Sequence, residues 1–393
     1  MIGISKLYMG TIESSDPLRY GRHSAQLPSH LLQFSRDKKP VIVWNVTAQC
    51  NLTCTHCYAA NSPKSDELST AEALELIDDL ADYGCPVLLF SGGEPLMRRD
   101  ILQLAAYAVK KGIRVVFSTN GTLIDAPWAQ ALKATGASYV GISLDGMEKT
   151  HDLFRNCRGA FKRTLAGIRH CRDTGVKVGL RMTMTKDNLH EVSAIFDLME
   201  QESIPRVCFY HLVYCGRGAE LAQHDLTHTQ RRQVLDLIID RTYQMHTRGL
   251  NIEVLTVDNH CDGPYLYSRM QKEQNPRADD VMRLLQMNGG NSTGLGIGCI
   301  GWDGTVFPDQ FWRNHALGNV RLQKFSSIWE SPAPDSLLYQ LRQKKCRVTG
   351  RCTQCRFLEV CGGNFRARAE AATGQLWGVD PACYLTDSEI ISD

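Results

Sequence analysis

The sequence predicts an α/β chain, a partial (β/α)6 TIM-like barrel followed by a smaller cysteine-bearing C-terminal domain. Three observations predict it. Between residues 41 and 250, short apolar, β-branched runs alternate with amphipathic segments, the pattern of a parallel sheet wrapped by helices. Polar motifs stand at the ends of successive strand-like runs, where a parallel barrel gathers its functional residues. Finally, Cys50, Cys54 and Cys57 crowd one end of the chain, and Cys346, Cys352, Cys355, Cys361 and Cys383 the other.

Residues 41–46 form the first apolar run. Ser69-Thr70-Ala71-Glu72 reads as a capping box, opening a helix with Ala71, Leu74, Ile77 and Leu80 on one face. Strand-like runs follow at 87–91, 114–118, 139–144, 176–184 and 206–212, with helix-like segments at 99–111, 127–135, 158–174, 189–201 and 229–247. A closed barrel needs eight units, so six predict an open one; a doubly wound sheet is the structural alternative. Residues 252–257 read as an extra strand. The stretch 262–296, rich in Gly, Asn, Pro and Met, reads as a linker or a substrate-facing segment, and the first 35 residues as an irregular extension. The division that follows is an N-terminal extension (1–38), a barrel (39–260), a linker or substrate-facing segment (261–298) and a C-terminal domain (299–393).

A formal net charge of +2 argues against a nucleic-acid binder. No run approaches the roughly 18 apolar residues of a membrane span, and residues 1–10 lack the apolar stretch of a secretory signal. The expectation is a soluble cytoplasmic protein without structural disulfides. Its 15 Cys then point to metal or redox chemistry. Those scattered singly, Cys85, Cys157, Cys171, Cys208, Cys215 and Cys261, read as small buried apolar residues.

Four motifs end consecutive strands: Cys50 to Cys57, Gly92-Gly93-Glu94-Pro95, Ser118-Thr119-Asn120-Gly121 and Ser143-Leu144-Asp145-Gly146. Alone, Asn-Gly or Asp-Gly marks only a turn. Four in register beside a cysteine triplet converge on one barrel mouth. Three thiolates on one loop suit zinc or an iron–sulfur cluster. Structural zinc wants four protein ligands; His56 is a possible fourth here, competing with its neighbour Cys57.

CxxxCxxC with an aromatic next to it, then GGEP one βα unit later, resembles the radical S-adenosylmethionine (SAM) superfamily over roughly residues 40–250. The resemblance implies that Cys50, Cys54 and Cys57 hold a 4Fe–4S cluster whose open iron is chelated by SAM. It also implies reductive cleavage of SAM to a 5′-deoxyadenosyl radical that abstracts hydrogen from substrate, the cofactors carrying the chemistry. Gly92 and Gly93 would let the backbone approach the methionine end of SAM, and Glu94 would offer its carboxylate to the SAM ammonium. Tyr58 would contact the adenine. Asn120 and Ser143 resemble positions that contact the ribose or the methionyl carboxylate, with Arg155 a further carboxylate partner. No catalytic residue is assigned beyond this cluster.

The pattern Cys352-x2-Cys355-x5-Cys361, with Cys383 beyond, suits a fully ligated zinc or iron–sulfur centre. It resembles the SPASM-type extension of radical SAM enzymes, making the C-terminal part an auxiliary iron–sulfur cluster domain. Complete SPASM domains carry further cysteines and two auxiliary clusters. Here Phe365 stands where one of those would, and upstream only Cys299 remains. One auxiliary 4Fe–4S cluster on Cys352, Cys355, Cys361 and Cys383 is therefore expected, in an electron-transfer role, with Cys346 and Cys299 the substitutes to test.

Residues Met1 to Tyr8, Leu18 to Arg22, Leu27 to His30, Pro308 to Trp312 and Gly362 to Arg366 resemble the tetrapyrrole-modifying enzymes of the siroheme-dependent haem pathway and of haem d1 synthesis, the 12,18-didecarboxysiroheme deacetylases above all. That likeness implies removal of two acetate side chains from didecarboxysiroheme to give iron-coproporphyrin III, with a ferredoxin or flavodoxin as electron donor. A haem d1 enzyme removing propionates, a SPASM-type peptide maturase and a zinc-stabilised scaffold are the alternatives. The short extension before Lys39 counts against a maturase; GGEP and the three-Cys loop count against a scaffold. A polycarboxylate tetrapyrrole calls for cations and an iron ligand or hydrogen-bonding group. Arg19, Arg22, Arg217 and Arg313 are the candidate clamps, and His211, His260 and His315 the candidate axial or hydrogen-bonding groups.

Overall fold

Val41–Asn45 (β2), a run of valine, isoleucine and tryptophan ending in asparagine, sits inside an 11-stranded sheet. The computed structural model describes residues 1–11, 39–60 and 66–391. Beyond β2 run Val87–Ser91 (β3), Arg114–Thr119 (β4), Tyr139–Ser143 (β5), Val178–Met184 (β6), Arg206–His211 (β7) and Glu253–Val257 (β8), each parallel to the one before. Ile297–Ile300 (β9) runs parallel to β2 on its other side and turns back through Thr305–Phe307 (β10) to Gly318–Asn319 (β11). Ile2–Gly3 (β1) closes the far edge, antiparallel to β8. The order is linear from β1 to β11, so the barrel stays open. The six predicted strands are its body, and the extra strand is β8.

Alternation along the strands sorts the faces. Trp44, Phe90 and Phe117, in register on β2, β3 and β4, stack with ring centroids 5.7 and 5.5 Å apart beneath the helices. Val43, Leu89 and Ile297 point the other way, into the barrel mouth. The helix Thr70–Tyr83 starts at the predicted capping box. Its buried stripe is Ala73, Leu76, Ile77 and Leu80, whereas Ala71 is exposed and Leu74 half-buried; the 3.6-residue stripe begins two residues later than expected.

Three segments depart from expectation. Glu148–Arg155 is a helix that its polar sequence conceals; it buries His151, Phe154 and Arg155. Residues 262–288, read as linker or substrate-facing, fold into the helices Asp262–Lys272 and Ala278–Asn288. Leu266, Met270, Val281, Leu284 and Leu285 are their buried faces; the Gly, Asn and Pro that suggested a linker fall near the helix ends. At the amino end, Ile2, Ile4 and Leu7 are buried, and Ser5–Met9 forms a π-helical turn, so the first nine residues belong to the sheet edge. The motif stretches 18–22 and 27–30, with Arg19 and Arg22, lie outside the described residues. Among the described residues no helix is long and apolar enough to cross a membrane.

Candidate active site

The loop after β2 carries Cys50 exposed, Cys54 buried and Cys57 half-buried, all free thiols. Two arginines brace it. Arg155 donates from Nη1 to Cys54 Sγ at 3.4 Å and from Nη2 to the Asp145 carboxylate. Arg217 donates from Nε to the Cys54 carbonyl at 2.7 Å, and its backbone N–H reaches the Cys57 carbonyl at 3.1 Å. A Cβ on Gly216 would lie 2.4 Å from that same carbonyl oxygen, so only glycine lets the Arg217 turn approach the loop. His56 sits 3.5 Å from Asp145; burial drives its pKa down to about 4, Asp145 partly opposing. Burial also disfavours ionised Asp145, but Arg155, then His56, outweigh it and hold its pKa below the usual carboxylate value.

The Gly-Gly pair is required by the chain itself. A Cβ on Gly93 would stand 2.1 Å from the Gln49 carbonyl oxygen, and one on Gly92 2.6 Å from that of Thr47. Gly93 and Glu94 donate their N–H groups to those same two oxygens, at 2.8 and 2.7 Å respectively to Thr47 and Gln49. The motif thus stitches the end of β3 to the cysteine loop. Glu94 lies behind the cavity wall and not on it. Its buried carboxylate accepts from Thr119 Oγ1 at 2.7 Å, the Asn120 N–H at 2.8 Å and the Leu96 N–H at 3.2 Å, and burial raises its pKa. Tyr58 donates to Asn45 Oδ1 at 2.9 Å and shares a hydrogen with Ser91 at 3.0 Å. Asn120 bonds Asn51 at 2.8 Å and Thr122. Cys50, Cys54, Cys57, Tyr58, Gly92, Gly93, Asn120, Ser143 and Arg155 all line one cavity at the carboxyl ends of the strands.

The opposite wall of that cavity, from β6 to β8, holds residues that sequence reading missed. Arg181 leans across β5 in the space Gly141 leaves, where a Cβ would be 2.3 Å from its Nε, and donates to Ser118 Oγ at 2.8 Å. Asp258, immediately after β8, has a left-handed φ of 65°. An arginine inside the mostly apolar run Val178–Met184 was the available signal for the first. Of the three candidate histidines, His211 and His260 line the cavity. His211 Nε2 bonds Asp262 at 2.9 Å, whose other oxygen accepts from Tyr384 at 2.7 Å. His260 Nε2 meets the Met1 ammonium at 3.1 Å. His315 instead pairs with Glu370 at 3.0 Å, and Arg313 lies over the Trp302 ring at 4.4 Å; neither of the two, nor Arg217, lines the cavity.

Cys352, Cys355, Cys361 and Cys383 are brought together: each thiol of Cys352, Cys361 and Cys383 is within electrostatic range of others in the set, and the Cys361 carbonyl accepts from the Asn291 N–H at 3.1 Å on the cavity side. The two substitutes are not with them. Cys299 packs in the sheet against Val43 and Phe307, and Cys346 is exposed. Cys261 is core, as expected: it is fully buried, and its thiol donates to Asn259 Oδ1 at 3.0 Å and lies 3.7 Å from the carbonyl of Ala382, the residue before Cys383. Phe365 faces the cavity and packs edge-on against Phe311 at 5.6 Å, which packs in turn against Tyr58 at 5.3 Å. The C-terminal domain is clamped to the mouth by Arg368. It pairs with Asp380 at 2.9 Å and donates to the carbonyls of Leu212 and Asp258, just beyond β7 and β8.

Both sets of donors fit iron–sulfur clusters: free soft thiols, three on a loop at the cavity and four drawn from residues 352–361 and from Cys383 beyond the next helix. The radical SAM superfamily model matches residues 44–199, and that of the SPASM iron–sulfur cluster-binding domain residues 296–356. Fe-coproporphyrin III synthase of Methanosarcina barkeri is 57% identical over 395 residues, covering 99% of each chain. Pre-heme d1 synthase of Dinoroseobacter shibae is 38% identical, covering 89% of this chain and 87% of its own. SuiB of Streptococcus suis, solved bound to S-adenosylmethionine, shares the fold with a TM-score of 0.69 at 19% identity, over 97% of this chain and 87% of that one. The chain belongs to the radical SAM superfamily and, within it, to the family of Fe-coproporphyrin III synthase.

Proposed function

We propose that this enzyme removes the two acetate side chains of 12,18-didecarboxysiroheme to give iron-coproporphyrin III in haem biosynthesis. The observation that carries the reading is the 57% identity to Fe-coproporphyrin III synthase along the whole of both chains. The cavity supports it, with a three-thiol loop on one wall and the cationic and acidic groups of Arg181 and Asp258 on the other.

In this reading Cys50, Cys54 and Cys57 hold a 4Fe–4S cluster with SAM, and Cys352, Cys355, Cys361 and Cys383 an auxiliary 4Fe–4S cluster. When bound, cluster and SAM supply an electron and a hydrogen-abstracting radical. The protein's own residues do the placing. Arg155 and Arg217 fix the loop, and the Gly92-Gly93 backbone locks it to β3. Asn120, Ser143 and Tyr58 present polar atoms to SAM, with Glu94 holding the Asn120 backbone from behind. Phe311 and Phe365 help exclude water between the two thiol sets. The electron donor is a ferredoxin or flavodoxin, and the enzyme works in the cytoplasm without membrane or nucleic acid.

The test is an anaerobic assay with reductant, SAM and didecarboxysiroheme. Formation of 5′-deoxyadenosine and iron-coproporphyrin III is expected, and Cys50→Ala should abolish both. Loss of propionates with the acetates kept would transfer the enzyme to the haem d1 branch.

A further inference from the structure

The polycarboxylate substrate of the proposed function needs partners for its side chains, and the inference rests on that reading. Arg217 and Arg313 do not line the cavity. Arg181 does, with its Nε lacking a hydrogen-bond partner among the described residues. From the next two strands come further orphaned polar atoms on the same wall: His211 Nδ1, Asp258 Oδ2 and His260 Nδ1. A buried polar atom left without a partner is costly, so a cluster of them on a cavity wall marks where a ligand completes the bonding. Asp258 is the most telling. It is 6% exposed and held in a left-handed backbone conformation that a non-glycine residue rarely adopts. By contrast both oxygens of its neighbour Asp309 are engaged, by Thr293 and by the N–H groups of Phe311 and Trp312.

We propose that Arg181 and Asp258 form the receptor for one carboxylate side chain of the substrate, on the β6–β8 side of the mouth. Arg181 supplies the cation and free N–H. Asp258 supplies an acid O–H: burial raises its pKa to about 7, with Asp309 reinforcing and the Met1 ammonium, Arg368 and Arg181 opposing. An O–H donated to a carboxylate is a short, charge-assisted bond, whereas an ionised Asp258 would repel the same group. His211 and Tyr210 from β7, His260, Asp309 and the Met1 ammonium are the charged and titratable neighbours on that side of the cavity wall, the Tyr210 ring 6.0 Å from the Arg181 guanidinium, with His56, Asp145 and Arg155 on the cysteine-loop side. Binding should therefore weaken as pH rises through the Asp258 value.

The test follows the Soret band of didecarboxysiroheme and of iron-coproporphyrin III on titration with anaerobic holoenzyme, at about pH 6 and about pH 8, either side of that pKa. At the lower pH, R181Q and D258A should each weaken binding about tenfold to a hundredfold. D258N keeps a donor and cannot ionise, so it should bind like wild type at the lower pH and hold its affinity at the higher. R181K should recover part of the R181Q loss. Equal losses for both ligands assign the receptor to a propionate, and a loss for didecarboxysiroheme alone to an acetate. R181Q binding as tightly as wild type, or D258N losing as much as D258A at both pH values, overturns the receptor. The conservative variants keep the test readable where Ala or Gln disturbs folding. A wild-type enzyme that binds neither ligand overturns the proposed function and the receptor with it; wild-type binding untouched by any variant overturns the receptor alone.

Discussion

Arg155 holds Cys54 and Asp145 at once, with one guanidinium nitrogen 3.4 Å from the thiol sulfur and the other on the carboxylate. Burial opposes the charge on Arg155, yet Asp145 and the Cys54 sulfur more than compensate and raise its pKa. A cation donating to a cluster sulfur stabilises the more negative, reduced state. Arg155→Gln should therefore lower the potential of the cluster on that loop. A tenfold differential between redox states corresponds to about 60 mV, readable in an anaerobic EPR redox titration. SAM cleavage should slow with it. An unchanged midpoint would reduce Arg155 to a brace for the loop.

Gly93→Ala should damage the same loop by sterics alone. The added methyl would sit 2.1 Å from the Gln49 carbonyl oxygen, a backbone atom next to Cys50 that cannot swing aside. The residue's own backbone is unstrained, so the cost is purely the displaced loop. Iron should fall from about eight per chain toward about four, the first cluster lost and the auxiliary one kept. A full iron complement in Gly93→Ala would mean the loop yields.

The βα period, the capping box and the two cysteine sets were legible because each rests on local chemistry: alternation, an N-cap or thiol spacing. What escaped depended on distance. The Glu148–Arg155 helix has eight mostly polar residues and buries only the side that meets the cysteine loop. Arg217 looked like a substrate clamp, but its partner is a carbonyl 163 residues earlier in the chain. Glu94 read as a ligand contact from its motif alone, and nothing in the motif showed that Thr119 and Asn120, one strand further on, also donate to its oxygens. Cys261 was isolated in sequence, and only the packing of the helix Asp262–Lys272 brings it to Cys383. A lone residue carries no signal of what the fold places opposite it.

Arg368 and Asp380 form a pair with 0% and 1% side-chain exposure, so removing one partner strands the other. Arg368→Met should cost about 3–5 kcal/mol and loosen the C-terminal domain from the carbonyls beyond β7 and β8. The double variant Arg368→Met, Asp380→Asn should recover part of that, measured by denaturant unfolding. The pH sign follows from Asp380. Burial disfavours its charge, but Arg368 dominates and depresses its pKa in the folded state. Its stabilisation is thus present above the unfolded value of about 4 and is lost as pH falls through the lower folded one. Asp380→Asn should be less stable than wild type at neutral pH and flatter on the acid side. Parallel acid profiles would remove the pair from the stability account.

Cys361 and Cys261 differ in what they should do to the auxiliary centre, though both are buried. Cys361 ends the short helix Leu358–Cys361, with its carbonyl tied to Asn291. Cys361→Ala removes a ligand of the proposed cluster, so about half of the iron should go while SAM binding at the first cluster persists. Cys261 instead packs behind that centre, its thiol donating to Asn259 Oδ1 at 3.0 Å. Its one S–H goes to an amide oxygen and not to a ligand sulfur, so Cys261→Ala should keep all the iron and leave the auxiliary potential in place. Mössbauer spectra count the clusters, and an EPR titration reads the potential. Loss of iron in Cys261→Ala would make it a ligand, and a lowered potential would show its thiol turned to a cluster sulfur.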